Sequence, residues 1–152
     1  MKKYAQLPAL VILGLTIVAG AAIALTRSAP ASIDEITQSV KNGTADGETW
    51  YNYGELLRLK QKQFHDAAYA YRQAIKKGCT NIRGARLGQA LALAQDPADK
   101  TGDTFFNFIT EELIPADAKT ALDTLDSAEA QSRKNSPRFA AARQSAESQA
   151  VD

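Results

Sequence analysis

Trp50-Tyr51-Asn52-Tyr53-Gly54-Glu55-Leu56-Leu57 and Gly84-Ala85-Arg86-Leu87-Gly88-Gln89-Ala90-Leu91 share one small pattern. In each, a large residue stands directly before a glycine and another stands three residues after it, and the two glycines lie thirty-four residues apart. A glycine on a helix lets another element approach closely, and large neighbours at helical spacing fill the space around it. After the first copy, Phe64-His65-Asp66-Ala67 opens a second helix in which Ala67, Tyr71 and Ala74 form a small-large-small stripe. Gly78, after Ile75-Lys76-Lys77, reads as the stop of that helix, with basic residues in its last turn. Between the two helices, Arg58–Gln63 reads as a polar turn one residue longer than the period requires.

The second copy is less regular. Ile82 to Gln95 reads as its first helix, and the chain then runs into Asp96-Pro97-Ala98-Asp99. The matching stripe, Ala121, Leu125 and Ala128, comes about twenty residues late. The intervening 97–116 segment carries Phe105, Phe106, Phe108 and Ile109, then Glu111-Glu112-Leu113-Ile114-Pro115. Two readings stand for the aromatics: a short helix plugging the core, or a partner-binding knob, since one helix face can hardly bury all three phenylalanines.

Ahead of these repeats the chain changes character. Twenty-three residues between Lys3 and Arg27 carry no charge, and Leu7 to Leu25 is almost wholly apolar. Roughly 20 such residues span a hydrocarbon core. Residues 7–26 therefore read as a transmembrane anchor, with 1–6, including Lys2 and Lys3, on the cytoplasmic side. The competing reading is a cleaved signal peptide with Ala22-Ile23-Ala24 or Ala29-Pro30-Ala31 as its exit site. In either case Ser28 to Asp152 lies outside, on the periplasmic face of an inner membrane if the source is bacterial.

That exported part holds fifteen Lys and Arg against seventeen Asp and Glu, which gives no electrostatic case for nucleic acid. The charge is uneven along the chain. Glu55 to Arg86 carries eight basic and two acidic residues, and Asp96 to Glu129 carries nine acidic and two basic. The single Cys79 permits no internal disulfide. His65, the one histidine, sits beside Asp66 at a helix start with no nucleophile in the pattern. One His and one Cys cannot supply the usual zinc ligands, and the glycine spacing matches no phosphate loop. The chain therefore reads as a non-enzyme without catalytic residue, metal or cofactor. Within the 27–47 linker, Ser32-Ile33-Asp34-Glu35 is a capping box for a short helix to Val40. After Asn135-Ser136-Pro137, Arg138 to Gln149 reads as a further helix in the 135–152 tail. These two helices are expected to cap the stack from either end.

The thirty-four-residue period, the glycine with its large neighbours and the A-x3-aromatic-x2-A stripe together resemble the tetratricopeptide (TPR) helix-turn-helix repeat. The resemblance implies an all-α stack with one repeat at 48–81 and a second, interrupted one at 82–134. It also implies a protein- or peptide-binding groove lined by the first helices. Tyr51, Asn52, Glu55 and Arg58 would line it in the first copy, Arg86 and Gln89 in the second. In that groove Tyr51 would stack on a client peptide, and Arg58 and Arg86 would pair with it. The run of Ser32-Ile33-Asp34-Glu35-Ile36, Asp46-Gly47-Glu48-Thr49-Trp50, Leu87-Gly88-Gln89-Ala90-Leu91-Ala92 and Ile114-Pro115-Ala116-Asp117-Ala118 is similar, more narrowly, to the periplasmic TPR domain of bacterial c-type cytochrome biogenesis factors. That similarity implies an assembly or chaperone-like adaptor for an exported client, apocytochrome c first among candidates. The aromatic segment is a departure from the family pattern. An accessory subunit of a membrane-bound respiratory or secretion complex is the alternative, with Phe105–Ile109 as its contact.

Overall fold

A computed structural model describes residues 32–151, which form helices joined by short loops, with no strand among them. The apolar 7–26 stretch, the 1–6 terminus and the start of the linker lie outside the described residues. Among the described residues no helix is long and apolar enough to cross a membrane.

Several helices begin where a side chain caps the first turn. Helix α1 spans Ile33–Lys41. Its capping box is formed: the Glu35 amide donates to Ser32 Oγ at 3.2 Å, and the Ser32 amide donates to Glu35 Oε2 at 2.7 Å. Helix α2, Gly47–Glu55, starts at Asp46, whose Oδ1 accepts from the Thr49 amide at 2.8 Å. Its N-terminus lies directly on the next hairpin's turn, because a Cβ on Gly47 would stand 2.6 Å from the Cys79 amide nitrogen. Helix α3 is Phe64–Lys76, and α4 is Ile82–Gln95, opened by Asn81, whose Oδ1 accepts from the Gly84 amide at 2.9 Å. The α4 limits are those expected from the sequence.

Arg58–Gln63 is not a turn. Helix α2 continues as a π-helical stretch over Leu56–Gln61, and the chain reverses only at Lys62, in the left-handed region with φ 57°. The supernumerary residue is thus taken up by widening the helix, as one-residue insertions into helices commonly are.

The aromatic segment repeats that solution. Helix α5, Asp103–Asn107, passes without interruption into a π-helical stretch at Phe108–Leu113 and then into α6, Ile114–Asp126. Within α6 the helix breaks at Asp117, whose carboxylate accepts from the Thr120 amide at 2.9 Å and restarts the helix. Ser127 ends α6; α7 (Ala128–Gln131) and α8 (Pro137–Gln149) follow. The expected late stripe therefore holds for Ala121 and Leu125, both fully buried, but not for Ala128. Ala128 falls beyond the Ser127 break and is exposed, and Ala130 is buried in its place.

α3 packs between α2 and α4, and α6 joins α4 to α8. One continuous core runs through all of them, from Leu57 and Tyr71 to Phe139 and Ala146. The terminal helices take the flanking positions expected of them. α1 lies on α2 through Ile36 and leaves Ile33 56% exposed, and α8 lies on α6 through Ala142 and Ala146.

The aromatic knob is a correction. Phe105, Phe106 and Ile109 are fully buried and Phe108 is 6% exposed. A single helix face could not hide them, but this segment touches α4, α6 and α8 and so is covered on several sides. Two later arginines complete the cover. The Arg133 guanidinium lies 5.8 Å from the centre of the Phe105 ring, and that of Arg138 5.4 Å from the Phe106 ring.

Candidate functional site

Tyr71 is the pivot about which the candidate site is arranged. Its ring lies between the two repeat glycines: a Cβ on Gly54 would stand 2.9 Å from its Cδ1, and one on Gly88 2.5 Å from its Cζ. The thirty-four-residue spacing is thus used by one aromatic side chain that both glycines make room for. The buried hydroxyl donates to Glu55 Oε1 at 2.5 Å and accepts from Arg58 Nε at 3.2 Å. Burial, with the hydrogen bond to Glu55, holds the phenol in its protonated form well above its ordinary range.

This network reassigns part of the expected groove. Glu55 and Arg58 are joined to Tyr71, and to each other at 3.5 Å, so they serve the packing of α2 on α3. Tyr51 is half-buried, edge-on to Tyr71 at 5.9 Å, with its hydroxyl accepting from Asn81 Nδ2 at 3.5 Å. Asn52 is exposed. None of these four borders the same concavity as Arg86 and Gln89.

Arg86 and Gln89 do come together, in a cleft of about 250 Å³ between α3, α4 and the Phe108–Leu113 stretch. Sequence reasoning did not find its other walls. Arg72 and Lys76, four residues apart on α3, stand on one side with Ile75 between them. Phe108 and Leu113 form an apolar floor, and Glu112 stands on the rim. Phe108 is thus the one expected contact phenylalanine that borders a concave surface. The i, i+4 pair of cations was visible in the sequence, but a groove expected only along first helices gave no reason to look at α3.

The cations of this cleft make no close ion pair among the described residues, although, against the effect of burial, the Thr120 hydrogen bonds together with Arg83 and Arg86 hold the Asp117 carboxyl below its ordinary range. Arg83, one turn before Arg86, reaches α6 and pairs with Asp123 at 2.7 Å. On α8, Arg138 pairs with Asp103 and Arg143 with Asp126. So acids of the 96–129 segment are met by Arg83 from the basic segment and by Arg138 and Arg143 from α8. Among the described residues, Arg72, Lys76 and Arg86 make no such ion pair. The Gln89 side chain is 1% exposed, and its amide nitrogen is buried without a hydrogen-bond partner. An unmet buried donor costs about 1–3 kcal/mol.

A larger depression, about 550 Å³, lies where Phe64, Asp96 and Arg133 meet. Its chemistry is already occupied. The Arg133 guanidinium donates to the carbonyls of Ala94 and Asp99 at 2.8 Å, and more loosely to those of Leu93 and Asp96. It is the C-terminal cap of α4. His65, its side chain 83% exposed, sits 3.4 Å from Asp96 Oδ2 at the same end. We therefore take the smaller cleft as the candidate site.

No family model, curated protein or solved structure matches this chain.

Proposed function

We propose that this chain is a membrane-tethered, TPR-like adaptor that binds a segment of another polypeptide in the α3–α4 cleft. The observation that carries this reading is the cleft itself: unpaired Arg72, Lys76 and Arg86 around an apolar floor, with the Gln89 amide lacking a partner. Such a surface offers recognition and positions nothing for bond making. The helical hairpins α2–α3 and α4–α6 supply the rigid frame on which binding modules of this kind depend. The apolar 7–26 stretch would hold the helices at the outer face of an inner membrane, where clients emerge from export.

On this reading the function is assembly or chaperone-like handling of an exported client. The sequence resemblance makes apocytochrome c the first client to test. The alternative, a fixed subunit of a respiratory or secretion complex, relied on Phe105–Ile109 as its contact, and the apolar side chains of that segment, Phe105, Phe106, Phe108 and Ile109, are interior. The test is affinity purification of the full-length chain from gently solubilised membranes, with mass spectrometry of what accompanies it. Substoichiometric exported polypeptides, apocytochromes and haem-ligation proteins among them, are expected. A constant set of membrane subunits in equal amounts would overturn the adaptor reading.

A further inference from the structure

We propose that the α3–α4 cleft is a socket for one acidic side chain of the client, an Asp or Glu carboxylate seated beside an apolar neighbour. This rests on the adaptor reading and specifies what the adaptor recognises. Four observations lead to it. The walls bring Arg72 and Lys76 from α3 opposite Arg86 from α4, so a single anion is attracted from two sides. A guanidinium takes a carboxylate in a planar, two-bonded geometry. Gln89 borders the same cleft, nine-tenths buried and more, with an amide nitrogen that nothing in the protein accepts from. Phe108, Leu113 and Ile75 give the adjoining residue of the client an apolar surface.

Size and charge narrow the occupant. A volume of about 250 Å³ lies below the roughly 300–1,000 Å³ of pockets that enclose cofactor-sized ligands. It suits one or two side chains. Three cations against the one acid on the rim, Glu112, leave the lining net positive, which an anion complements. A carboxylate on a polypeptide satisfies both limits.

The test uses the full-length, isotope-labelled chain in detergent micelles and two blocked tripeptides, acetyl-Leu-Glu-Leu-amide and acetyl-Leu-Gln-Leu-amide. Blocking both ends leaves the glutamate side chain as the only charge that differs. The readout is the Gln89 side-chain amide resonance, assigned by its loss in Gln89→Met. We expect the Glu peptide to shift this resonance saturably, at least about tenfold more tightly than the Gln peptide. Arg86→Glu should abolish that preference in a chain that remains folded, as Arg72→Glu should from the other wall. Glu112→Gln should tighten the Glu peptide by about twofold to fivefold, through loss of like-charge repulsion. Equal responses to both peptides, a response confined to residues away from the cleft, or none at millimolar peptide would overturn the socket. So would inorganic phosphate shifting Gln89 more tightly than the Glu peptide. The two failures are separable. Client capture that survives Arg72→Glu and Arg86→Glu removes the socket and leaves the adaptor. A socket that binds the Glu peptide in a chain that co-purifies with fixed subunits removes the adaptor and leaves the socket.

Discussion

Gly54 and Gly88 face the two sides of one tyrosine ring, and that contact sets the tolerance of both positions. A methyl group on Gly88 would have to displace a ring that Gly54 already confines from the other side. Overpacking of this kind costs about 1–3 kcal/mol, and Gly88→Ala should lower stability by that amount in urea unfolding. Gly54→Ala, with a slightly longer approach, should cost less. At Tyr71 itself the hydroxyl joins Glu55 and Arg58. Tyr71→Phe removes those bonds but leaves the two charges paired with each other, so a loss of about 1–2 kcal/mol is expected at neutral pH. Burial raises the phenol above its ordinary value. The folded state thus holds the proton more tightly than the unfolded chain. The resulting stabilisation is complete below about pH 10 and is lost as the pH rises from there toward the folded value. The stability gap between the wild type and Tyr71→Phe should therefore narrow as the pH rises from about 10 to about 12. A gap that widens over that range would contradict the assignment.

Among the elements, the 103–113 helix is where burial and expectation part. Phe106→Ala should lower stability by about 3–5 kcal/mol, as for a fully enclosed aromatic, against roughly 5–15 kcal/mol for a domain of this size. An exposed knob would change binding and leave melting untouched. Arg133 offers a parallel contrast. Its four carbonyl partners close the end of α4, so Arg133→Ala should cost about 2–3 kcal/mol, and Arg143→Ala, whose pairs are on the surface, much less. The sequence made some of these elements readable and hid others. The α4 limits and the Ala67-Tyr71-Ala74 stripe were legible because caps, glycines and small residues act within one or two turns. The π-helical stretches were not, because an extra residue in a wide helix and one in a turn have the same composition. Burial of Phe105 and Phe106 was hidden for another reason: Arg133 and Arg138, which cover the rings, lie about thirty residues further on. The cleft was legible by half. Arg86 and Gln89 follow from helical spacing on α4, whereas Arg72, Phe108 and Glu112 enter through packing between segments distant in sequence.

At the scale of the whole molecule, the cleft gathers three cations that no carboxylate among the described residues pairs at contact distance. Arg83, Arg138 and Arg143 bind acids of the 96–129 segment; Arg72, Lys76 and Arg86 are left to the cleft. The central claim is that a client occupies this place. A photo-crosslinking amino acid at Ala116, which lines the cleft without carrying its charge, tests it most directly in the full-length chain irradiated in living cells, with the same residue at Lys119 on the exposed side of α6 as the comparison. The account predicts exported polypeptides joined to the chain from position 116 and not from 119. Equal adducts from both positions, or none from position 116, would contradict it.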